Sequence, residues 1–283
     1  MVDTYLTEIY DKDFHNGYDF VYSINLHPKN DLEFRLHSHR DFYEIVLFLA
    51  GDAQFHIEGN IYHSHPHDIF IARPGEMHHN VFLSETRYER IVLFVRKSYF
   101  KLNHCEELEN FFLTRALGFD CQIPAAIANQ LLCTLLLKMN TYLQQSAITV
   151  ANGVLLEFLY LLNHIEQPLS SPVIEDSRIQ KIIAFINAHL DSSLTLDLLA
   201  DTFYMNKFHL CRVFHRITGY TINQYINQKR LLLALSLYDQ GQTLLEASSN
   251  SGFNSYSSFY KLYKKQFGTS PKQYHRHLFP EEL

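Results

Sequence analysis

Thr195-Leu196-Asp197-Leu198-Leu199-Ala200-Asp201-Thr202-Phe203-Tyr204-Met205-Asn206-Lys207-Phe208-His209-Leu210-Cys211-Arg212-Val213-Phe214-His215-Arg216-Ile217-Thr218-Gly219 reads as two short helices joined by a turn. Thr195 can cap the first helix, with Asp197 in its first turn at the positive end of the helix dipole. Leu196, Leu199 and Phe203 supply an apolar face, and Ala200 is small enough for a crossing helix to approach. Tyr204 and Met205 make the turn, Asn206 caps the second helix and Gly219 stops it. Within that helix Leu210, Val213, Phe214 and Ile217 fall at i, i+3, i+4 and i+7 and must face inward. Lys207, Phe208, Cys211, Arg212, His215 and Arg216 are left outside. A helix with an apolar back and a basic front is what the DNA major groove accommodates.

The pattern repeats. A connecting helix, roughly Ile222 to Tyr238, carries Arg230-Leu231-Leu232-Leu233-Ala234, and a second helix pair follows with Gly252 at the turn and Ser255 as cap. There Phe259, Leu262 and Tyr263 face inward, whereas Tyr256, Ser257, Tyr260, Lys261, Lys264 and Lys265 face outward. The tandem units, with Gly252-Phe253, Phe259, Lys264-Lys265-Gln266-Phe267-Gly268, Pro271 and Tyr274, resemble the DNA-binding domain of the AraC/XylS family of bacterial transcription regulators. The resemblance implies that both second helices enter adjacent major-groove segments on one face of the duplex. It places base-edge contacts at Phe208, Cys211, Arg212, Tyr256, Ser257 and Lys261. Arg212 is the candidate for a bidentate guanine contact, and Cys211 for an apolar contact such as a thymine methyl. Lys264 and Lys265 are left for phosphates. Phe267 and Tyr274 read as core. Ala247, Ser248 and Ser251 replace apolar residues usual in the family, so the second unit is expected to pack less well and to contribute less affinity. His275 stands where the family commonly shows arginine.

Charge divides the chain in the same place. The net charge is −6, but residues 1–174 hold 12 Lys/Arg against 21 Asp/Glu, while residues 178–277 hold 12 against 5. That asymmetry suggests a nucleic-acid-facing unit joined to one with another task. The four cysteines form no Cys-x-x-Cys pair, which argues against a disulfide framework or zinc ribbon and fits a reducing compartment. Met1 to Tyr22 shows no signal-peptide pattern, and the apolar runs near 131–137 and 154–162 are too short and interrupted to cross a bilayer. A cytoplasmic protein without membrane contact is the expectation.

From about Tyr18 to Val95 short alternating runs, such as Tyr43, Ile45, Leu47 and Leu49, are separated by turn residues, which suggests a sandwich or barrel. Helical spacing follows, in Ile127 to Met139 and in Val154 to Leu162, with Asn152-Gly153 an internal weak point. These helices can cover the strand domain or form a subunit interface. The strands carry His37-x-His39-x4-Glu44-x6-Gly51 and Arg73-Pro74-Gly75-x2-His78, a spacing that resembles the two motifs of the cupin barrel. The resemblance makes His37, His39, Glu44 and His78 a candidate site for a divalent metal (Zn, Mn, Fe or Ni), or polar groups of an effector pocket. Arg35, Tyr43, Arg73 and Glu76 are further candidates to line it, a mixture that suits a sugar. His63, His65, His67 and His79 read as a surface cluster. Phe82 occupies the place of the second motif's usual asparagine, which weakens an enzymatic reading.

The expected fold class is α+β. A cupin-like effector-binding and dimerisation domain takes 1–166, with a barrel over about 18–97 and helices over about 106–166. A linker takes 167–176, and an all-α domain with two helix-turn-helix units takes 177–283. The expected function is that of a sequence-specific, non-enzymatic transcription regulator, an activator of sugar or related small-molecule genes. Its partners would be a double-stranded DNA operator, a small effector, RNA polymerase and a second copy of the chain. The alternative is a metal-dependent cupin enzyme with a fused helical domain, which leaves two basic helices unexplained.

Overall fold

The computed structural model describes residues 17–26, 37–166, 169, 171–174, 176–268 and 270–271. Arg35, Tyr274 and His275 lie outside them. The chain forms two compact units, Phe14–Glu175 and one whose described residues begin at Asp176.

Among the described residues the first unit has eight strands: β1 (Tyr18–Asn25), β2 (Phe42–Ala50), β3 (Ala53–Ile57), β4 (Asn60–His63), β5 (Ile69–Ala72), β6 (His78–Phe82), β7 (Tyr88–Arg96) and β8 (Gln122–Ile123). Two antiparallel sheets face each other in a cupin-like barrel, one ordered β1-β7-β2-β5-β8 and the other β4-β3-β6. Short helices α1 (Lys97–Leu102) and α2 (Asn110–Leu113) lead to the long α3 (Ala125–Gln144) and α4 (Ile148–Asn163).

The alternation read in β2 is only half of its pattern. Tyr43, Ile45 and Leu47 pack with Leu132, Leu135, Leu136 and Met139 of α3 and with Leu155, Phe158, Leu159 and Leu162 of α4 in one core. Phe42, Glu44, Val46 and Phe48, on the opposite face by the two-residue period of a strand, are just as buried. The sheet is therefore sandwiched, and helix packing claims its outer face. Each fully buried large apolar side chain there contributes about 1.5–3 kcal/mol. Helix α4 starts at Ile148 and runs through Asn152-Gly153 without interruption. Asn152 is held by the Tyr99 hydroxyl (2.8 Å) and donates to Asn103 (3.1 Å), and the space beside Gly153 is open. Beyond α4, Val173 exchanges backbone hydrogen bonds with Ile61 at the edge of β4.

The second unit is all helical: α5 (Ser177–Ala188), α6 (Leu196–Thr202), α7 (Lys207–Thr218), α8 (Ile222–Asp239), α9 (Leu244–Asn250) and α10 (Tyr256–Phe267). Its boundaries follow local chemistry. Thr195 accepts from the Leu198 amide, Asn206 from those of Phe208 and His209, and Ser255 from that of Ser258. Thr221–Gln224 and Thr243–Glu246 form reciprocal capping boxes. Gly219 and Gly268 end α7 and α10 in the left-handed conformation that glycine adopts without steric penalty.

Candidate functional site

Helices α6–α7 and α9–α10 are the two helix-turn-helix units. On α7, Leu210, Val213, Phe214 and Ile217 are all buried, and the ring of Phe214 meets Tyr225 of α8 edge-on at 5.7 Å. Burying that stripe leaves Phe208 (84 % exposed), Arg212, His215 and Arg216 in solvent, with Cys211 half-buried among them. Lys207 forms an ion pair with Asp197 across the turn, so its charge is shared rather than wholly presented outward. On α10, Phe259 and Tyr263 are buried against Leu231 and Leu235 of α8, with Leu262 packed at the margin. Tyr256, Ser257, Lys261, Lys264 and Lys265 are exposed. Phe267 belongs to the core, as its spacing implies.

The expected weakness of the second unit takes a different form. Ser248 and Ser251 are buried, but their hydroxyls donate to the carbonyls of Leu245 (2.9 Å) and Ser248 (3.0 Å). Each buried hydroxyl is satisfied inside its own helix turn, which removes most of the desolvation penalty. One residue of the connecting helix, quoted from the sequence without a role, ties α8 to the segment between α5 and α6. Arg230, buried on α8, donates from Nε to the carbonyl of Leu190 (2.8 Å) and from Nη2 to that of Ser192 (2.6 Å). An arginine directly before the apolar run Leu231-Leu232-Leu233 was the available signal.

In the barrel, backbone pairing joins the two motifs: His37 and His78 exchange hydrogen bonds (3.0 and 2.8 Å), and Gly75 donates to His39 (2.8 Å). Side chains of His37, His39, Glu44 and His78 consequently converge, with one ligand atom of each within 4.8 Å of the others. His39 and His78 sit 2.6 and 2.9 Å from Glu44 Oε2 through their Nε2 atoms, and His37 Nε2 stands at 3.8 Å. The Glu76 carbonyl accepts from His78 Nδ1 (2.8 Å), which turns Nε2 toward the cluster. Burial pulls His39 down to about 3 against the opposing pull of Glu44. Burial acts on His78 in the same direction, but Glu44 and the Glu76 carbonyl outweigh it and its pKa is raised. For Glu44, burial favours the neutral acid, yet the charge of His78 and the bonds from the imidazoles hold it well below the usual carboxylate range. Three imidazoles and one carboxylate on a small common centre fit a divalent transition metal. Around them the interior is filled with rings: Phe42 stacks on His39 at 4.2 Å, Phe94 lies edge-on to Phe42 at 5.2 Å, and Phe55 stacks on Phe70 at 4.9 Å.

Other expected pocket residues stand elsewhere. Tyr43 points to the opposite face of β2, stacked near Phe112 (4.2 Å) with its hydroxyl donating to Glu109 (2.6 Å), because strand alternation separates it from Glu44. Arg73 and the fully buried Glu76 pair with each other and with Arg115; Glu76 also accepts from the Gly118 amide, so this group clamps the 115–121 segment. The expected surface histidines also separate. His63, His65 and His67 are exposed, whereas His79 is largely enclosed and lies 4.9 Å from His56, its direct cross-strand partner.

A barrel with a polar cluster and a tandem pair of helix-turn-helix units together define a DNA-binding transcription regulator with a ligand-binding domain. Residues 27–102 match the family described as AraC-like ligand binding domain, and residues 199–277 match the family described as Helix-turn-helix domain. The regulatory protein SoxS of Escherichia coli K12 is 33% identical over 101 residues, covering 35% of this chain and 94% of SoxS. The right origin-binding protein of the same organism is 33% identical over 99 residues, which is 35% of this chain and 34% of that protein. Among solved structures, ToxT from Vibrio cholerae O395 is 15% identical, covers 93% of this chain and 99% of its own, and superposes with a TM-score of 0.39. The chain belongs to the AraC/XylS family of transcription regulators.

Proposed function

We propose that an effector held at the His37–His39–Glu44–His78 cluster controls operator binding by the two recognition helices. The observation that carries this reading is the pair of capped helices, α7 and α10, each presenting basic and aromatic side chains over a fully buried apolar back. Phe208, Cys211 and Arg212, with Tyr256, Ser257 and Lys261, contact base edges; His215, Arg216, Lys264 and Lys265 hold phosphates, and Lys207 joins them when its pairing with Asp197 opens. The effector combines hydroxyl or acid groups, which the cluster recognises, with a surface that stacks on Phe42 and Phe94, as a sugar or related small molecule would. Where the cluster loads a divalent ion, His37, His39, Glu44 and His78 are its ligands. That ion would supply a Lewis-acidic anchor for the effector. Occupancy biases a pre-existing equilibrium between chain states that differ in DNA affinity.

The regulator works as a cytoplasmic homodimer, contacts RNA polymerase as an activator and has no enzymatic activity. No helix among the described residues is long and apolar enough to cross a membrane. Dimerisation uses the solvent face of α3 and α4, where Leu131, Leu137 and Tyr160 are about half exposed and Leu131 lines a groove with Ile127, Leu161, Ile165 and His164. The decisive experiment is binding of a selected operator across a salt series, repeated with metal content measured on protein purified without a histidine tag or chelator. Affinity falling steeply with salt supports DNA recognition through phosphates, and a salt-insensitive interaction would sink it. Stoichiometric metal lost in His39→Ala assigns the cluster to an ion; none assigns it to the effector alone.

A further inference from the structure

The two helix-turn-helix units make the same turn with residues of opposite character. In the first, the Tyr204 amide donates to the Asp201 carbonyl (3.3 Å) and the Met205 amide to that of Ala200 (2.9 Å). In the second, Gly252 donates to Ser249 (3.0 Å) and Phe253 to Ser248 (3.2 Å), so Tyr204 and Gly252 are equivalent. Both have left-handed backbone, with φ of 52° and 90°. Glycine is needed in the second unit, because a Cβ there would lie 2.0 Å from the Leu190 carbonyl oxygen. The first unit has room, and it places a tyrosine in a conformation that bulky side chains adopt only under strain.

Among the described residues, nothing offsets that strain through the side chain. Tyr204 is 97 % exposed, more than any other large hydrophobic residue among those described. Its neighbours in the turn behave otherwise: Met205 is buried, Phe203 is half-buried against Phe185 at 5.7 Å, and Asn206 caps α7. In a helix-turn-helix the N-terminal part of the second helix meets the bases while the first crosses the backbone, so the turn between them passes over the sugar-phosphate chain. An aromatic ring with a hydroxyl tip at that place has the chemistry of a phosphate contact: an apolar body against the sugar and a neutral donor to a phosphate oxygen.

We propose that Tyr204 is a DNA-contacting residue of the first unit, its hydroxyl donating to a backbone phosphate next to the groove that α7 enters. This rests on the DNA-binding reading of α7. A neutral donor to phosphate carries no sequence information and releases no counterion. Its loss must therefore weaken all sequences alike and leave the salt slope unchanged.

The test is Tyr204→Gly and Tyr204→Phe in the full chain, measured on a mixed-sequence DNA duplex and on a selected operator at fixed low salt, with thermal melting of each protein. Tyr204→Gly is expected to melt no lower than wild type, since it relieves the strained φ, and to bind both duplexes about three- to tenfold more weakly. Tyr204→Phe is expected to lose most of the same factor. Undiminished DNA affinity of a folded Tyr204→Gly overturns the proposal and leaves the ring to a protein partner. Wild-type affinity in Tyr204→Phe overturns the donor role. A wild-type chain that binds neither duplex overturns the DNA-binding reading itself, and this inference with it.

Discussion

The two helix-turn-helix units reach one shape by different chemistry. In α6–α7 the first helix buries Leu199 and Ala200, and the second closes over Phe214 and Ile217, so packing rests on apolar side chains. In α9–α10 the corresponding first helix buries Ala247, Ser248 and Ser251, with the serine hydroxyls bonded back to their own turn. The turn itself is pressed against the Leu190 carbonyl, with Arg230 alongside. Small side chains that allow backbone to approach backbone replace methylenes that fill space. Departure from the family's usual residues at Ala247, Ser248 and Ser251 marks the second unit as poorly packed; its geometry makes it closely packed at the turn.

That contrast can be broken most sharply at Gly252. Gly252→Ala introduces a Cβ into the Leu190 carbonyl at a positive φ, and a loss of about 3 kcal/mol in unfolding free energy is expected. A loss below about 1 kcal/mol would mean the approach is loose. Next comes the division of affinity. Arg212→Ala should weaken operator binding by about 1–3 kcal/mol and relax specificity at one base pair. Lys261→Ala and Tyr256→Ala should each cost less; equal losses in a titration would show that both units contribute alike.

Acid is expected to act on the barrel. Burial, then the nearby His63, lowers His56 to about 4, below the 6.5 of the unfolded chain. A depressed folded pKa means that the unfolded state binds the extra proton first. The stabilisation is full above pH 6.5 and is lost as pH falls toward 4, by about 3 kcal/mol. Melting of wild type and His56→Gln across that window should converge at its acid end; parallel curves would remove His56 as the cause. The smallest effect belongs to Ser248. Ser248→Ala should change stability by less than about 1 kcal/mol, because the lost local hydrogen bond is offset by better helix propensity.

Residues that speak through local chemistry were legible in advance. The caps Thr195, Asn206 and Ser255, the stop at Gly219 and the inward stripe Leu210–Ile217 all sit where their spacing puts them. So do the four cluster residues of the barrel, although His37 is an isolated bridge to His78 and His39 lies in the irregular segment before β2 rather than on a strand. The partners of Arg230 and Asn152 were not legible for one reason: Leu190 and Tyr99, which explain them, are distant in the chain.

Taken by itself, the sequence determined the capped helices and their buried stripes, because periodicity and capping are short-range properties, while resemblance of its motifs to the AraC/XylS and cupin families gave the class of protein and the membership of the four-residue cluster. Only the tertiary structure decided that Tyr43 faces the helices and Glu44 the barrel, that Glu76 is a clamp, that His79 pairs with His56, and that one turn needs glycine while the other exposes tyrosine. Those outcomes depend on which surfaces meet across the fold, and burial, steric exclusion and hydrogen-bond partners exist only once the surfaces have met.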